Sequence, residues 1–293
     1  MNTEVSVIIA THNRKAFLSK TLLSFNNQNY SNFEVIVIED GSKYNQKQII
    51  QNLNLNYKIK YHYIENRGRA GARNFGISNS NGEILLFFDD HSQPVTYLIE
   101  EHVRNHLKHN KYGGFRGRIE YSDAYKSVVN YRKPRFFENL HNIVVQNSPI
   151  INFGTHNLSV RRKILEDVGT FDEEFTLYGA EDQEFGIRIK KAGYKLGYLP
   201  KALVYNIKIP KNTEATYNRA IESGKMAALL IKKHPEYKGK MGLNIFNNMI
   251  YKNDRNYHLY TDYLTKKVSD IDLKTKRKAK FIIYYFSMIE HLK

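Results

Sequence analysis

Two acids and a histidine follow directly after a run of five apolar residues. The run occupies positions 84–88, and Asp89, Asp90 and His91 come next. A short apolar run of this kind is typical of a strand buried on both faces. Open α/β sheets bind ligands at the carboxyl ends of their strands, so these side chains are predicted to lie in a ligand site. Their chemistry suits Mn²⁺ or Mg²⁺ carrying a diphosphate. The alternative is a polar strand end in which an acid caps the next turn.

A second group of polar residues follows the predicted first strand, at 5–10. Thr11 and Asn13 are good N-cap residues for the helical pattern that comes after them. A strand that runs into a helix N-terminus makes an anion site, and Arg14 could add a positive charge there. The alternative is simple capping beside a solvated arginine.

The next two predicted strands also end in candidate ligand-binding residues. Asp40 ends the strand predicted at 33–38 and is placed to accept hydrogen bonds from a base or ribose, although Asp-Gly-Ser also makes turns. The stretch 65–77 combines small residues with three arginines, including Arg73, and suits phosphate. A helix packed tightly on the sheet is the alternative.

Composition narrows the class of protein. The chain has 293 residues, 41% of them hydrophobic, which is enough for one large α/β domain and an appendage. The absence of cysteine excludes disulfides, thiolate zinc sites and a cysteine nucleophile. The net charge of +16 favours anionic partners, but no nucleic-acid-binding module is recognised. Neither a signal peptide nor a membrane span of about 20 apolar residues is expected.

Residues 5–91 resemble the nucleotide-binding half of the family 2 glycosyltransferases. The motifs that carry the resemblance are Val-Ile-Ile-Ala-Thr-His-Asn-Arg (7–14), Glu-Asp-Gly-Ser (39–42), the Asn-x-Gly stretch at 66–76, Asn-Gly-Glu (81–83) and Phe-Asp-Asp-His (88–91). Each motif is weak alone, but together their order and spacing are specific. The resemblance implies the GT-A fold, a Rossmann-like α/β mixed sheet flanked by helices, and a UDP-sugar donor.

The resemblance also implies roles for individual residues on the donor side. Thr11 and Asp40 would hold the nucleoside, Asp40 at the uracil, and Arg73 would steady the nucleotide. Asp89 and Asp90 would contact the ribose and the metal–diphosphate, while Asn13 and Arg14 of the anion site complete the expected donor-binding residues. The family usually ends this strand with Asp-x-Asp, whereas His91 stands at the third position here. Polypeptide N-acetylgalactosaminyltransferases use Asp-x-His at this place and bind Mn²⁺. We therefore expect Asp89 and His91 to be metal ligands, with Asp90 nearer the sugar or ribose.

A second acidic motif extends the resemblance to about residue 207. Residues 178–188 resemble the family's Glu-Asp motif at a helix start, in which the second acid, here Asp182, is the catalytic base. Glu181 and Tyr178 would contact the acceptor. The alternative is that acids simply favour the first turn of a helix. The family often has a histidine as a third metal ligand. Here the candidates are Asn206 and His156.

Several structural expectations complete the sequence interpretation. A helix at 95–109 should bury His102, His106 and Leu107, a helix should cover 43–55, and two strands, at 194–200 and 202–206, should close the domain. The variable acceptor loop is expected at 122–148. The catalytic domain should cover 1–210, followed by a helical extension at 211–293 with helices at 213–235 and 242–268. The basic and apolar segment 274–293 could dock on an anionic membrane, but packing on the catalytic domain or on a second subunit is the preferred interpretation.

The predicted activity is inverting transfer of a hexose or N-acetylhexosamine from a UDP-sugar to a saccharide hydroxyl. Metal assistance and a role in surface polysaccharide or glycoconjugate synthesis are expected, in the cytoplasm or at the inner face of the membrane. Nucleic acid is not an expected partner, and a homo-oligomer is left open. The alternatives are a transferase with a peptide or other non-sugar acceptor, a basic nucleic-acid-binding protein and an inactive scaffold.

Overall fold

The computed structural model describes residues 3–126, 153–209, 213–238 and 273–292. The chain divides into two compact units: the first contains 1–173 and 185–208, and the second contains 174–184 and 209–293. The domain boundary expected at 210 stays a prediction. The helix expected at 242–268 and most of the expected acceptor loop lie outside the described residues.

The elements of the first unit alternate between strand and helix at the beginning of the chain. In order they are β1 (Val5–Thr11), α1 (Lys15–Ser24), β2 (Phe33–Asp40), α2 (Lys47–Gln51), β3 (Lys58–Ile64), α3 (Gly68–Ser78) and β4 (Ile84–Asp89). They continue with β5 (Ser92–Pro94), α4 (Leu98–Lys108), β6 (Tyr112–Ser122), β7 (Asn157–Arg161), α5 (Leu165–Val168), α6 (Glu181–Lys191) and β8 (Lys195–Ile207). The division between the units falls within α6.

The described strands form one mixed sheet in the order β3-β2-β1-β4-β7-β6-β8-β5. Strands β1 to β4 pair in parallel, whereas β7 is antiparallel to β4 and β6, and β5 is antiparallel to β8. Strand β4 is buried on both faces, because Leu86 and Phe88 belong to one hydrophobic core and Leu85 and Phe87 to the other. The predicted α/β mixed sheet is confirmed.

Three local predictions need correction. Strand β8 is one long strand, not two. Its pairing with β6 jumps from Leu199 to Leu203, so the register slips around Pro200, which has no N–H to donate. Helix α2 is much shorter than 43–55. Leu107 is 54% exposed, although His102 and His106 are buried as predicted.

The second unit contains two long helices, α7 (Thr213–Lys233) and α8 (Leu273–Leu292). They pack closely at Gly224, where an added Cβ would overlap the carbonyl oxygen of Tyr284. Tyr285 and Met288 of α8 share a hydrophobic cluster with residues of α7. The tail helix therefore packs on α7, whereas its packing on the catalytic domain or on a second subunit, and its membrane contact, stay predictions. Among the described helices, none is both long enough and apolar enough to cross a membrane.

Candidate donor site and acidic motif

Most of the predicted donor residues lie at or just after the carboxyl ends of three neighbouring strands in the first unit, while Arg73 lies on α3. In the register of the sheet, Ala10 of β1 lies beside Asp89 of β4, and Thr11 lies beside Glu39 of β2. Parallel pairing therefore brings the polar residues after β1, β2 and β4 to one edge of the sheet. This edge is where open α/β sheets bind their ligands.

Asp90 is the most constrained of these residues. Its Oδ2 accepts a hydrogen bond of 2.7 Å from the Thr11 hydroxyl, and its Oδ1 lies 3.0 Å from Nδ1 of His91. The Thr21 hydroxyl donates to the backbone carbonyl of Asp90 at 2.9 Å. Thr11 thus binds the side chain that follows the neighbouring strand β4. It does not cap α1, which follows Arg14 without a side-chain cap. The predicted capping role of Thr11 is wrong.

Asp89 lies in a positive electrostatic environment. Its Oδ2 is 4.0 Å from Nε2 of His91. Burial alone would raise the pKa of Asp89, but nearby basic side chains outweigh burial and lower it. Those side chains are His156, His91, Arg73 and Arg69. The Asp89 carboxylate is therefore kept ionised, as a cation ligand must be.

The two candidates for a third ligand differ in their surroundings. Burial lowers the pKa of His156, the Asp89 carboxylate opposes this effect, and Arg116 adds to it. An added Cβ at Gly154 would overlap the His156 ring, so a glycine is needed for this ring position. Asn206 is buried, and its Oδ1 accepts a hydrogen bond from the Ser92 hydroxyl.

The donor chemistry of Asp89 and His91 fits a divalent cation. Metal–oxygen and metal–nitrogen bonds of about 2.1 Å could connect one ion to both residues, because Asp89 Oδ2 and His91 Nε2 are 4.0 Å apart. Carboxylate and imidazole are both accepted by Mn²⁺. Within the described ranges, no group of three or more His, Asp or Glu side chains gathers around such a point. Two protein ligands would leave positions for phosphate oxygens.

The loop after β1 is tied to the loop after β2. The backbone N–H of Asn13 donates to the Ser42 hydroxyl at 2.8 Å, and Asn13 Oδ1 accepts from the N–H of Lys43 at 2.9 Å. His12 Nδ1 lies 2.6 Å from the carbonyl oxygen of Asp40. Asn13 has a φ of 55°, a conformation that asparagine tolerates. Asn13 therefore joins the two loops at this edge of the sheet. The prediction that it caps α1 is wrong.

Asp40 accepts hydrogen bonds at the start of α3. Its Oδ1 accepts the N–H of Arg67 at 2.7 Å, and the N–H of Gly68 also points to it. Burial raises the pKa of Asp40, although these hydrogen bonds and His12 oppose the rise. This carboxylate supports the helix that carries Arg73, whose guanidinium lies over the ring of Phe171 at 5.6 Å.

Glu39 was not singled out from the sequence, yet it shapes the loop after β2. It is fully buried and accepts hydrogen bonds from the backbone N–H of Gln46 at 3.0 Å and from the Gln46 side chain at 2.8 Å. The Tyr61 hydroxyl also donates to it. These contacts hold Gln46 in an irregular loop, although residues 43–55 were predicted to be helical. An acid at the end of an otherwise apolar strand was the available signal.

Arg14 carries a guanidinium nitrogen suited to an anion. Its Nη1 is buried and has no hydrogen-bond partner among the residues that the structure describes. A buried donor without a partner is costly, and a phosphate oxygen would satisfy it. The donor-binding role of Arg14 stays a prediction.

The acidic motif belongs to the second unit. Gly179 and Ala180 have φ values of 103° and 72°, and α6 begins directly after them at Glu181. The Glu181 side chain is buried, whereas Asp182 is partly exposed. Asp182 Oδ1 accepts the N–H of Gln183 at 2.8 Å. A strained turn thus precedes a helix start that presents a carboxylate.

Residues of α7 and the turn after it anchor the segment 174–184. His234 Nε2 lies 3.2 Å from Oε1 of Glu184, and both side chains are buried. The guanidinium of Arg219 lies 5.1 Å from the centre of the Tyr178 ring. Lys233 pairs with Glu174 at 2.6 Å. Sequence interpretation missed these partners, because nothing in the spacing of α7 indicates them.

The order of strands and the helices on the sheet define the GT-A class of glycosyltransferase folds. The model of glycosyl transferase family 2 matches residues 6–169, so the chain belongs to this family. A second model, described as the N-terminal domain of galactosyltransferase, matches residues 147–214.

Similar proteins support the same fold. The solved structures include a mannosyltransferase from Pyrobaculum calidifontis in complex with GDP-Man and Mn²⁺, at a TM-score of 0.67 and 17% identity, covering 100% of this chain and 87% of that one. Staphylococcus aureus TarS in complex with UDP-GlcNAc gives a TM-score of 0.58 at 16% identity, covering 98% and 91%. At these identities the likeness shows the fold alone.

The curated relatives are longer than this chain. The uncharacterized glycosyltransferase YfnE of Bacillus subtilis is 29% identical over 65% of this chain, which spans 61% of that protein. Chondroitin synthase of Escherichia coli is 26% identical over 80% of this chain, which spans 39% of that protein.

Proposed function

We propose that the protein transfers a hexose or N-acetylhexosamine from a UDP-sugar to a saccharide hydroxyl, with inversion at the anomeric carbon. The observation that carries the proposal is the edge of the sheet where Asp89, Asp90 and His91 meet the loops after β1 and β2 in a family 2 glycosyltransferase. Relatives that include a chondroitin synthase support a saccharide acceptor and a role in polysaccharide synthesis.

The donor would lie along this edge. Asp40 would contact the base with its second oxygen, while Arg14 and Arg73 would face the phosphates. Asp89 and His91 would hold Mn²⁺ or Mg²⁺, which when bound offsets the charge of the leaving diphosphate. Because a structural neighbour was solved with GDP-Man, GDP is the competing nucleotide.

Asp182 would act as the base. It would take the proton of the acceptor hydroxyl while that oxygen bonds to the anomeric carbon, and the bond to the diphosphate breaks. Tyr178 and Glu181 would contact the acceptor.

Two measurements test the proposal. Calorimetric titration of UDP and GDP, each with Mn²⁺, Mg²⁺ or chelator, identifies the donor, and tighter binding of GDP would contradict the UDP assignment. Asp182→Asn should lower transfer by about 100- to 10,000-fold and change UDP affinity less than twofold. Full transfer by this variant would remove Asp182 from the mechanism. A Gln183→Ala variant is the matched control, because it alters the same helix turn and keeps the carboxylate.

A further inference from the structure

Asp90 has each of its carboxylate oxygens in a hydrogen bond within the protein. Oδ2 accepts from the Thr11 hydroxyl at 2.7 Å, and Oδ1 faces His91 Nδ1 at 3.0 Å. The residue is only 6% exposed, and its backbone carbonyl is bound by the Thr21 hydroxyl. The side chain is therefore fixed from both sides, and little of its surface is left for a ligand.

These contacts determine the state of the His91 ring. An ionised carboxylate accepts hydrogen bonds but donates none, so Nδ1 must carry the proton that joins His91 to Asp90. In the neutral ring the lone pair is then on Nε2. That atom lies 4.0 Å from Oδ2 of Asp89. The backbone of His91 is also held, because its carbonyl accepts the N–H of Ile207 at 2.9 Å.

We propose that Asp90 is a positioning residue, which holds the His91 ring so that Nε2 faces a cation shared with Asp89. This inference rests on the proposed function, because it needs the cation, and it replaces the expectation that Asp90 contacts the sugar or ribose. A carboxylate behind a ligating histidine fixes its tautomer and orientation. Thr11, predicted to contact the nucleoside, fixes Asp90 in turn.

The test measures two affinities separately in purified full-length protein. Mn²⁺ affinity is measured by electron paramagnetic resonance at saturating UDP, and UDP affinity is measured by calorimetry in chelator. Asp90→Asn should weaken Mn²⁺ binding by about 10- to 100-fold and leave metal-free UDP affinity within about twofold. A residue that touches the ribose would give the opposite result: weaker UDP binding in chelator and unchanged Mn²⁺ binding.

A double-mutant cycle separates positioning from a direct effect. In a His91→Ala background, Asp90→Asn should cause no further loss of Mn²⁺ affinity, since there is no ring left to orient. Full additivity of the two losses would overturn the inference. Thr11→Val should weaken Mn²⁺ binding by several-fold. The comparison variant, Thr21→Val, removes the hydroxyl bound to the Asp90 backbone. It should cause a smaller loss than Thr11→Val, because the carboxylate keeps both of its own hydrogen bonds.

The outcomes also separate this inference from the proposed function. If the wild-type protein binds UDP but its Mn²⁺ affinity does not depend on His91, the positioning role is wrong, whereas UDP-dependent transfer can still be measured. If no sugar is transferred from any UDP-sugar, the proposed function is wrong, whereas the Mn²⁺ cycle still decides the role of Asp90.

Discussion

In the first unit Thr11 and Asp90 meet because β1 and β4 are neighbouring strands, whereas in the second unit a side-chain contact joins Glu184 of α6 to His234 after α7. Sheet register brings together residues 79 positions apart in the first pair, and helix packing brings together residues 50 positions apart in the second. Backbone pairing therefore places the candidate donor residues, whereas side-chain contacts such as the one between Glu184 and His234 help to place the acidic motif. We expect single substitutions to disturb the acidic motif more easily.

The largest effect is expected from His234→Ala. It removes the imidazole that contacts the buried Glu184 carboxylate. This loss should lower the free energy of unfolding by about 3 kcal/mol. Scanning calorimetry measures the loss, and UDP titration should show unchanged affinity. Glu184→Gln is the matched control, since its amide can still bond to His234. An equal loss in both variants would show that the charge, not the contact, matters.

Gly224→Val should be the next most damaging change. The new side chain would meet the Tyr284 carbonyl and Ser287 where α7 and α8 pack, and overpacking of this kind costs up to about 3 kcal/mol. Calorimetry should show a lower melting temperature, with UDP affinity preserved. Lys232→Ala, at an exposed position of the same helix, should leave the melting temperature nearly unchanged. Loss of UDP binding in Gly224→Val would contradict the proposal that the donor is bound by residues of the first unit alone.

Low pH should lower the free energy of unfolding of the first unit, because His102 is buried there. This fully buried ring contacts Ser159 and Asn157, and burial lowers its pKa from 6.5 to about 4. The unfolded chain takes up the proton first, so stability is complete above pH 6.5 and falls as the pH drops towards 4. At pH 5 the loss is about 2 kcal/mol.

Urea unfolding at pH 7.5 and pH 5 measures this loss. His106, whose pKa is also lowered by burial, by His102 and by Arg161, adds to the same dependence. His102→Gln should reduce the difference between the two pH values. An unchanged difference would exclude His102 as its source.

The smallest effect is expected from Tyr61→Phe. It removes the hydroxyl that donates to Glu39, at a cost of about 1 kcal/mol, and should weaken UDP binding a few-fold because the loop after β2 loosens. Tyr57→Phe is the matched control, since its hydroxyl bonds to the carbonyl of Leu22 at 2.7 Å, away from that loop. Equal UDP affinity in the two variants would contradict the role given to Glu39.

Strong local patterns predicted most of the first unit. The apolar run before Asp89 predicts a strand buried on both faces. Parallel pairing then brings the polar residues after β1, β2 and β4 to one edge of the sheet. Leu107 was misplaced because helical periodicity does not say where a hydrophobic face ends. Two strands were predicted at 194–200 and 202–206, but a slip in register around Pro200 allows one continuous strand.

The partners of individual side chains could not be predicted from the sequence. Thr11 and Asn13 have the chemistry of helix caps, but the neighbouring strand and loop offered them better-placed partners. Nothing in the sequence around His234 or Arg219 indicates Glu184 or Tyr178. Such pairs depend on how helices pack, and no local periodicity encodes that.

The hydrogen bond from Arg67 to Asp40 has a consequence for redesign of donor preference. In the proposed site, Asp40 would face the base with one oxygen while the other accepts the N–H at the start of α3. Replacing Asp40 to accept a purine would also loosen the helix that carries Arg73. An engineered switch should therefore keep Asp40 and vary the loop after β2, where the carbonyl of Ser42 accepts the Tyr63 hydroxyl at 2.6 Å. The same hydrogen bond would constrain natural changes of the donor nucleotide. Base preference should therefore change through substitutions in the loop after β2 before Asp40 itself is replaced.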